Sequence, residues 1–123
     1  GGVVFGPRND RNYSLCMNKQ ERRLALVSLL STKASAEQIK VVQNFAGVGE
    51  KTKTMAGFLS TITAKKPLLA ITREEKVSVN GAMNIPESRI VNVEYLNPHD
   101  LLKYSDVIFT EASLKHMYEH FTK

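Results

Sequence analysis

The chain has 123 residues, 42% of them hydrophobic and 24% charged, with a formal net charge of +5. That is enough for one domain with a real core, and no apolar run reaches the ~18–20 residues needed to span a bilayer. Cys16 is the only cysteine, which excludes an internal disulfide and a four-cysteine zinc site and makes a reducing compartment the simpler expectation.

The charge is unevenly spread. Residues 1–33 hold six cations (Arg8, Arg11, Lys19, Arg22, Arg23, Lys33) against two acids (Asp10, Glu21), a net of +4; residues 34–123 hold eleven against ten. A local basic excess points to a polyanionic partner, with a merely solvated terminus as the alternative. The first residue is Gly and no secretory leader pattern follows, so the sequence reads as a processed chain or a fragment.

In chain order, residues 1–17 show neither helical nor strand period and are punctuated by Gly1, Gly2, Gly6 and Pro7, which reads as an extended arm. Asn18 is a candidate cap for a helix from about Lys19 to Thr32. Six of the seven residues Leu24–Leu30 are apolar, more than a one-sided stripe needs, so this helix is expected to be covered on several sides by another part of the protein or a partner. "IKVVQN" (39–44) reads as a strand and "EKTKTMAGFLSTI" (50–62) as a helix. "PLLAIT" (67–72) is a buried strand, and "EEKVSVNGAMN" (74–84) a short helix weakened by Gly81. "RIVNVEY" (89–95) is a strand; Asn97 and Pro98 cap and open a short helix to about Tyr104. "DVIFT" (106–110) and "EASLKHMYEHF" (111–121) close the chain as strand and helix. Strands alternating with helices, with nearly continuous apolar strand cores, predict an α/β domain with a mostly parallel sheet of four strands.

Three motifs invite catalytic or ligand readings. "GVGEKTKT" (47–54) departs from a phosphate loop: Glu50 separates Gly49 from Lys51, and Asn44 stands where the first glycine belongs. A glycine-containing strand-to-helix loop is preferred, with Lys51 and Lys53 left as surface cations for a polyanion. "HMYEH" (116–120) fits an inverted zinc-helix pattern, but nothing singles out a third ligand besides His116 and His120, so no metal is expected. Cys16 lacks a base partner and reads as a passive thiol. No catalytic residues and no cofactor are expected.

The arm has the ingredients of RNA contact, which works through phosphates, sugar hydroxyls and stacking of unpaired bases. Arg8, Arg11, Lys19, Arg22 and Arg23 supply charge, and Phe5 and Tyr13 supply flat faces, against the alternatives of core packing for Phe5 and anchoring of the arm for Tyr13. Gly1, Gly2 and Gly6 allow close backbone approach. Arg22 and Arg23 stand at the start of a helix, where the dipole disfavours cations, so their placement favours a ligand over structure.

"GGVVFGPRNDRNYSLCMNKQERRLAL" resembles the segment of the large-subunit ribosomal protein L-four family, the universal uL-four family, that leaves the tunnel-directed loop and re-enters the globular domain. The matching residues are Gly1, Gly2, Phe5, Gly6, Pro7, Arg8, Tyr13, Ser14, Asn18, Lys19, Arg23, Leu24, Ala25 and Leu26. "KTKT" (51–54), "MNIP" (83–86), "NPHDLLKYSDVIFT" (97–110) and "ASLKHMYEHF" (112–121) follow in the family's order. Asn9, Asp10, Cys16 and Gln20 depart from it and lower the local charge. The resemblance implies a Rossmann-like domain at 18–123 behind an RNA-contacting arm at 1–17, together forming the family's C-terminal half. It implies a structural, non-enzymatic constituent of the large ribosomal subunit that organises rRNA near the peptide exit tunnel. The implied partners are large-subunit rRNA and neighbouring ribosomal proteins, with no membrane and no small-molecule substrate. The implied location is the ribosome of a bacterial cytoplasm or an organelle, leaning to plastid over mitochondrion. Two rivals stand beside it: a small doubly wound nucleotide-binding domain with its ligand near Asn44–Glu50 or Thr72–Glu75, and a protein-interaction module using helix 18–32.

Overall fold

A computed structural model describes residues 2–122, with side-chain surroundings to residue 121. Residues 2–18 form no helix or strand. The elements that follow are α1 (Lys19–Ser35), β1 (Ile39–Val42), α2 (Thr52–Thr61), β2 (Pro67–Ile71), a 3₁₀ segment (Glu74–Ala82), β3 (Arg89–Asn92), a 3₁₀ turn (Val93–Tyr95), α3 (Pro98–Lys103), β4 (Asp106–Thr110) and α4 (Glu111–Thr122).

The strands form one four-stranded sheet in the order β1-β4-β2-β3, every neighbouring pair parallel. One row across it reads Lys40, Ile108, Leu69, Ile90; the next reads Val41, Phe109, Ala70, Val91. Successive side chains point to opposite faces, so these rows feed two separate cores. Leu68, Ala70, Val107 and Phe109 pack with Leu26 of α1, Leu101 of α3, and Leu114 and Met117 of α4. Leu69, Ile71 and Ile108 pack with Met55 and Leu59 of α2 and with Val79 and Ala82 of the 3₁₀ segment. All five β2 residues are buried, which is why that strand is apolar without alternation. The α/β class and the sheet of four strands are as the sequence reads, and the sheet is parallel throughout.

Element ends differ from expectation for local reasons. α1 runs to Ser35, past Thr32, and ends without glycine. Gln38 N–H donates to Lys33 O (3.0 Å) and Glu37 N–H to Ala34 O (3.1 Å), with Glu37 left-handed at φ 56°. The same motif ends α2: Ala64 N–H donates to Leu59 O (3.2 Å) and Thr63 N–H to Ser60 O (3.1 Å), with Thr63 at φ 54°. Asn18 occupies the position before α1, but its side chain makes no capping bond. β3 stops at Asn92, not Tyr95, because Asn92 Oδ1 accepts from Glu94 N–H (3.3 Å) and turns the chain into the 3₁₀ turn. Residues 74–82 wind as 3₁₀ rather than α-helix.

The expected cap at Asn97 is present and reciprocal: its Oδ1 accepts from Asp100 N–H (2.8 Å) while its Nδ2 donates to Asp100 Oδ2 (2.9 Å). Asp100 is 1% exposed and faces Arg89 Nη1 at 3.5 Å. Thr110 and Ser113 cap α4 reciprocally, Ser113 N–H donating to Thr110 Oγ1 (3.1 Å) and Thr110 N–H to Ser113 Oγ (2.9 Å).

Helix α1 buries only Leu26 fully; Leu29 and Leu30 are half-buried, while Leu24 is 69% and Val27 49% exposed. Residues 2–122 leave this face of the helix open, in keeping with the expectation that its cover comes from outside this chain.

Candidate nucleic-acid interface

Residues 2–18 lie exposed along their whole length. Phe5 is 83% exposed, so it does not pack into the core. Tyr13 is 70% exposed and faces the Arg11 guanidinium, 5.3 Å above its ring, rather than the body of the domain. Asn12 Oδ1 accepts from Ser14 N–H (2.9 Å), a local turn that orders the chain between them. Gly2 takes φ 98°, a value that favours glycine, and an added Cβ at Gly2 or Gly6 meets nothing. Gly1 lies outside the described residues.

Ion pairs among the described residues all fall within the globular body, where Lys51, Lys53, Lys65, Lys76 and Lys103 also lack a carboxylate partner. Lys40, Lys66, Arg73, Arg89 and Lys115 each pair with a carboxylate. Lys33 is spent on structure: its Nζ donates to Gln38 Oε1 (3.0 Å) and to the carbonyls of Tyr104 and Ser105 (2.8 Å each). Burial lowers its pKa below the ordinary lysine value, against the opposing pull of Asp106. Arg8, Arg11, Lys19, Arg22 and Arg23 have no carboxylate partner among the described residues. A cation paired inside the protein has half its field cancelled; these five do not.

The fold brings three of them together. Lys19, Arg22 and Arg23 line a cleft of about 360 Å³ together with Leu26, Leu96, Pro98, His120 and Phe121, and with Glu94 and Asn97. The His120 and Phe121 rings meet edge to face, 5.0 Å apart at 82°. Glu94 is held from its other side, its Oε2 accepting from Arg73 Nη2 (3.0 Å) and its Oε1 lying 3.7 Å from His116 Nε2. Sequence reasoning reaches the three cations but not the 94–98 wall or Phe121, which lie far along the chain and show no local pattern. His120 is visible in the sequence only as half of a metal motif. In the structure His116 and His120 serve different clefts, and no cluster able to hold a metal ion occurs among the described residues. Lys51 and Lys53 stand at the start of α2, on the other layer of the sheet, exposed and apart from that cleft.

At both places where a doubly wound fold would hold a ligand, the chain bonds to itself, although clefts lined by Thr72, Arg73 and Asn92 stay open beside the second. In the 47–54 loop, the Val48 and Gly49 amides donate to Phe45 O (3.1 and 2.9 Å), and Gly81 N–H donates to Gly49 O at 2.7 Å. A Cβ on Gly49 would lie 1.7 Å from Ser78 O. The backbone is thus pressed against the 3₁₀ segment, and the Val48 and Gly49 amides are already bonded. At the carboxyl end of β2, Glu75 Oε2 accepts from Thr72 N–H (3.1 Å), Thr72 Oγ1 (2.9 Å) and Thr110 Oγ1 (2.9 Å), so an acid of the chain itself engages these three donors.

Three bacterial relatives, each a "Large ribosomal subunit protein uL4", resemble the chain along nearly all of its length. The one from Magnetococcus marinus is 38% identical over 120 residues, covering 97% of this chain and 58% of the relative. That from Desulforapulum autotrophicum is 34% identical over 123 residues, 100% and 59%. That from Lachnospira eligens is 38% identical over 119 residues, 97% and 57%. The chain therefore spans a little under three-fifths of the length of these curated relatives. The sequence pattern of the Ribosomal protein L4/L1 family matches residues 1–120, and the chain belongs to that family.

Proposed function

We propose that the chain is a structural, non-enzymatic component of a large ribosomal subunit that binds rRNA through residues 1–23. In this reading residues 1–17 are the contacting arm and 18–123 the body that presents it. The observation that carries it is the concentration of unpaired charge: five cations without a carboxylate partner among the described residues stand within residues 8–23, flanked by exposed Phe5 and Tyr13, while in the body Lys40, Lys66, Arg73, Arg89 and Lys115 are paired. Family membership and the names of the bacterial relatives support the ribosomal setting. Lys51 and Lys53 extend the contact surface to the second layer. Exposed Leu24 and Val27 fit contact with further protein, either a neighbouring ribosomal protein or more of a chain like the longer relatives. The bacterial matches fit a ribosome of bacterial or organellar type, with plastid preferred to mitochondrion.

A filter-binding titration of the chain against large-subunit rRNA across salt concentrations tests this. With about five phosphates neutralised, the log–log slope is expected on the order of −4. A slope near zero overturns the proposal.

A further inference from the structure

We infer that the cleft beside α1 takes a single unpaired RNA nucleotide, with its phosphate on Lys19, Arg22 and Arg23 and its base against His120 and Phe121. This rests on the RNA-binding reading above and names the group that one part of the interface holds. The cleft's volume, about 360 Å³, lies at the lower end of ligand sites of ~300–1,000 Å³. Its lining comes from separate elements with different chemistry. The start of α1 is cationic and suits a phosphate; the end of α4 offers a partly buried aromatic ring, with a second ring perpendicular to it, and Leu26, Leu96 and Pro98 add apolar surface.

Glu94 sets the orientation. Its carboxylate, on the boundary between this cleft and the next, repels a phosphate; Oε2 accepts from Arg73, while Oε1, 3.7 Å from His116 Nε2 and beyond hydrogen-bonding distance of it, retains acceptor capacity. The N–H groups on a base's pairing edge are the matching donors. In a duplex those edges are already paired, so the entering nucleotide must be unpaired, the state in which RNA bases are read by stacking and edge contacts. Continuity argues for RNA over a free nucleotide: the arm carrying Arg8, Arg11 and Tyr13 joins the domain at Lys19, on the rim of this cleft.

The test uses large-subunit rRNA transcripts substituted with 4-thiouridine or with 6-thioguanosine, irradiated with the full chain, and the adducts located by mass spectrometry. Expected are adducts within 96–98 or on His120 or Phe121, joined to nucleotides that chemical probing finds unpaired. In Arg22→Ala/Arg23→Ala, two exposed positions without carboxylate partners, these adducts disappear, while adducts on Phe5 or Tyr13 persist and the melting temperature is unchanged. The salt slope then falls in magnitude by about 1.5. Adducts confined to the arm, or cleft adducts on base-paired nucleotides, overturn the cleft proposal and leave the RNA reading standing. Absence of any salt-dependent complex overturns both.

Discussion

Gly81 donates its backbone N–H to the carbonyl of Gly49 at 2.7 Å, and neither residue has room for a side chain. This contact locks the loop after β1 to the 3₁₀ segment after β2 and fixes the start of α2. A methyl group on Gly49 would drive into Ser78 O, and one on Gly81 would lie 2.7 Å from Gly49 O. Gly49→Ala is expected to cost about 3 kcal/mol, the upper range for forced overpacking, with Gly81→Ala somewhat less. Gly57→Ala is the control: its Cβ meets nothing within 4 Å, and inside α2 the change is expected to stabilise by about 1 kcal/mol. Denaturant midpoints of the three variants decide it; equal effects at Gly49 and Gly57 would remove the steric account.

Thr63 holds a left-handed conformation at the end of α2, a strained choice for a β-branched residue. Thr63→Gly is expected to stabilise the domain by about 1 kcal/mol, and Glu37→Gly by somewhat less. Thermal unfolding of both variants checks this, with no gain at Thr63 as the opposing result.

Lys33 ties the last turn of α1 to the loop entering β4. Lys33→Met leaves the Tyr104 and Ser105 carbonyls without this donor, and a loss of about 1–2 kcal/mol is expected at neutral pH. Its pKa is lower folded than the ordinary 10.5, so between those values the unfolded chain binds more protons. Stability contributed at this site therefore rises with pH through that window. The gap between wild type and variant is expected to widen as pH approaches 10.5, and a narrowing gap would contradict the sign.

The apolar run of α1 divides sharply by position. Leu26→Ala is expected to cost about 2–4 kcal/mol, because the side chain is 4% exposed within the core of Leu68, Val107 and Phe109. Leu24→Ala is expected to cost less than about 0.5 kcal/mol in this chain. Urea titrations compare them directly; comparable losses would mean that Leu24 is covered in solution.

The contrast between these positions shows what the sequence makes legible. Strand and helix order follows from apolar runs and from caps such as Asn97–Pro98, where the side chain, the fixed proline φ and the structure agree. The end of α1 at Glu37 is hidden because the usual glycine is absent and the left-handed turn is imposed by the surrounding contacts, whereas the end of α2 falls at Ile62 as the sequence reads, although its left-handed Thr63 is not foreseeable. The end of β3 is hidden for a related reason: Val93 and Tyr95 have strand character, but the Asn92 side chain turns the backbone first. Among site residues, the cations of the arm stand out by charge alone. The cleft wall of Glu94, Leu96, Pro98 and Phe121 does not, because its members meet only through the tertiary path of α3 and α4.

Glu75 bridges the tips of β2 and β4, taking up the donors that parallel sheets of this kind present there. A small molecule seeking those three donors must first displace the acid that already holds them, so compound screening aimed at that point starts against an internal competitor. An engineer wanting chemistry from this scaffold would first remove that competitor with Glu75→Ala, exposing two threonine hydroxyls and one amide as raw material for a new pocket.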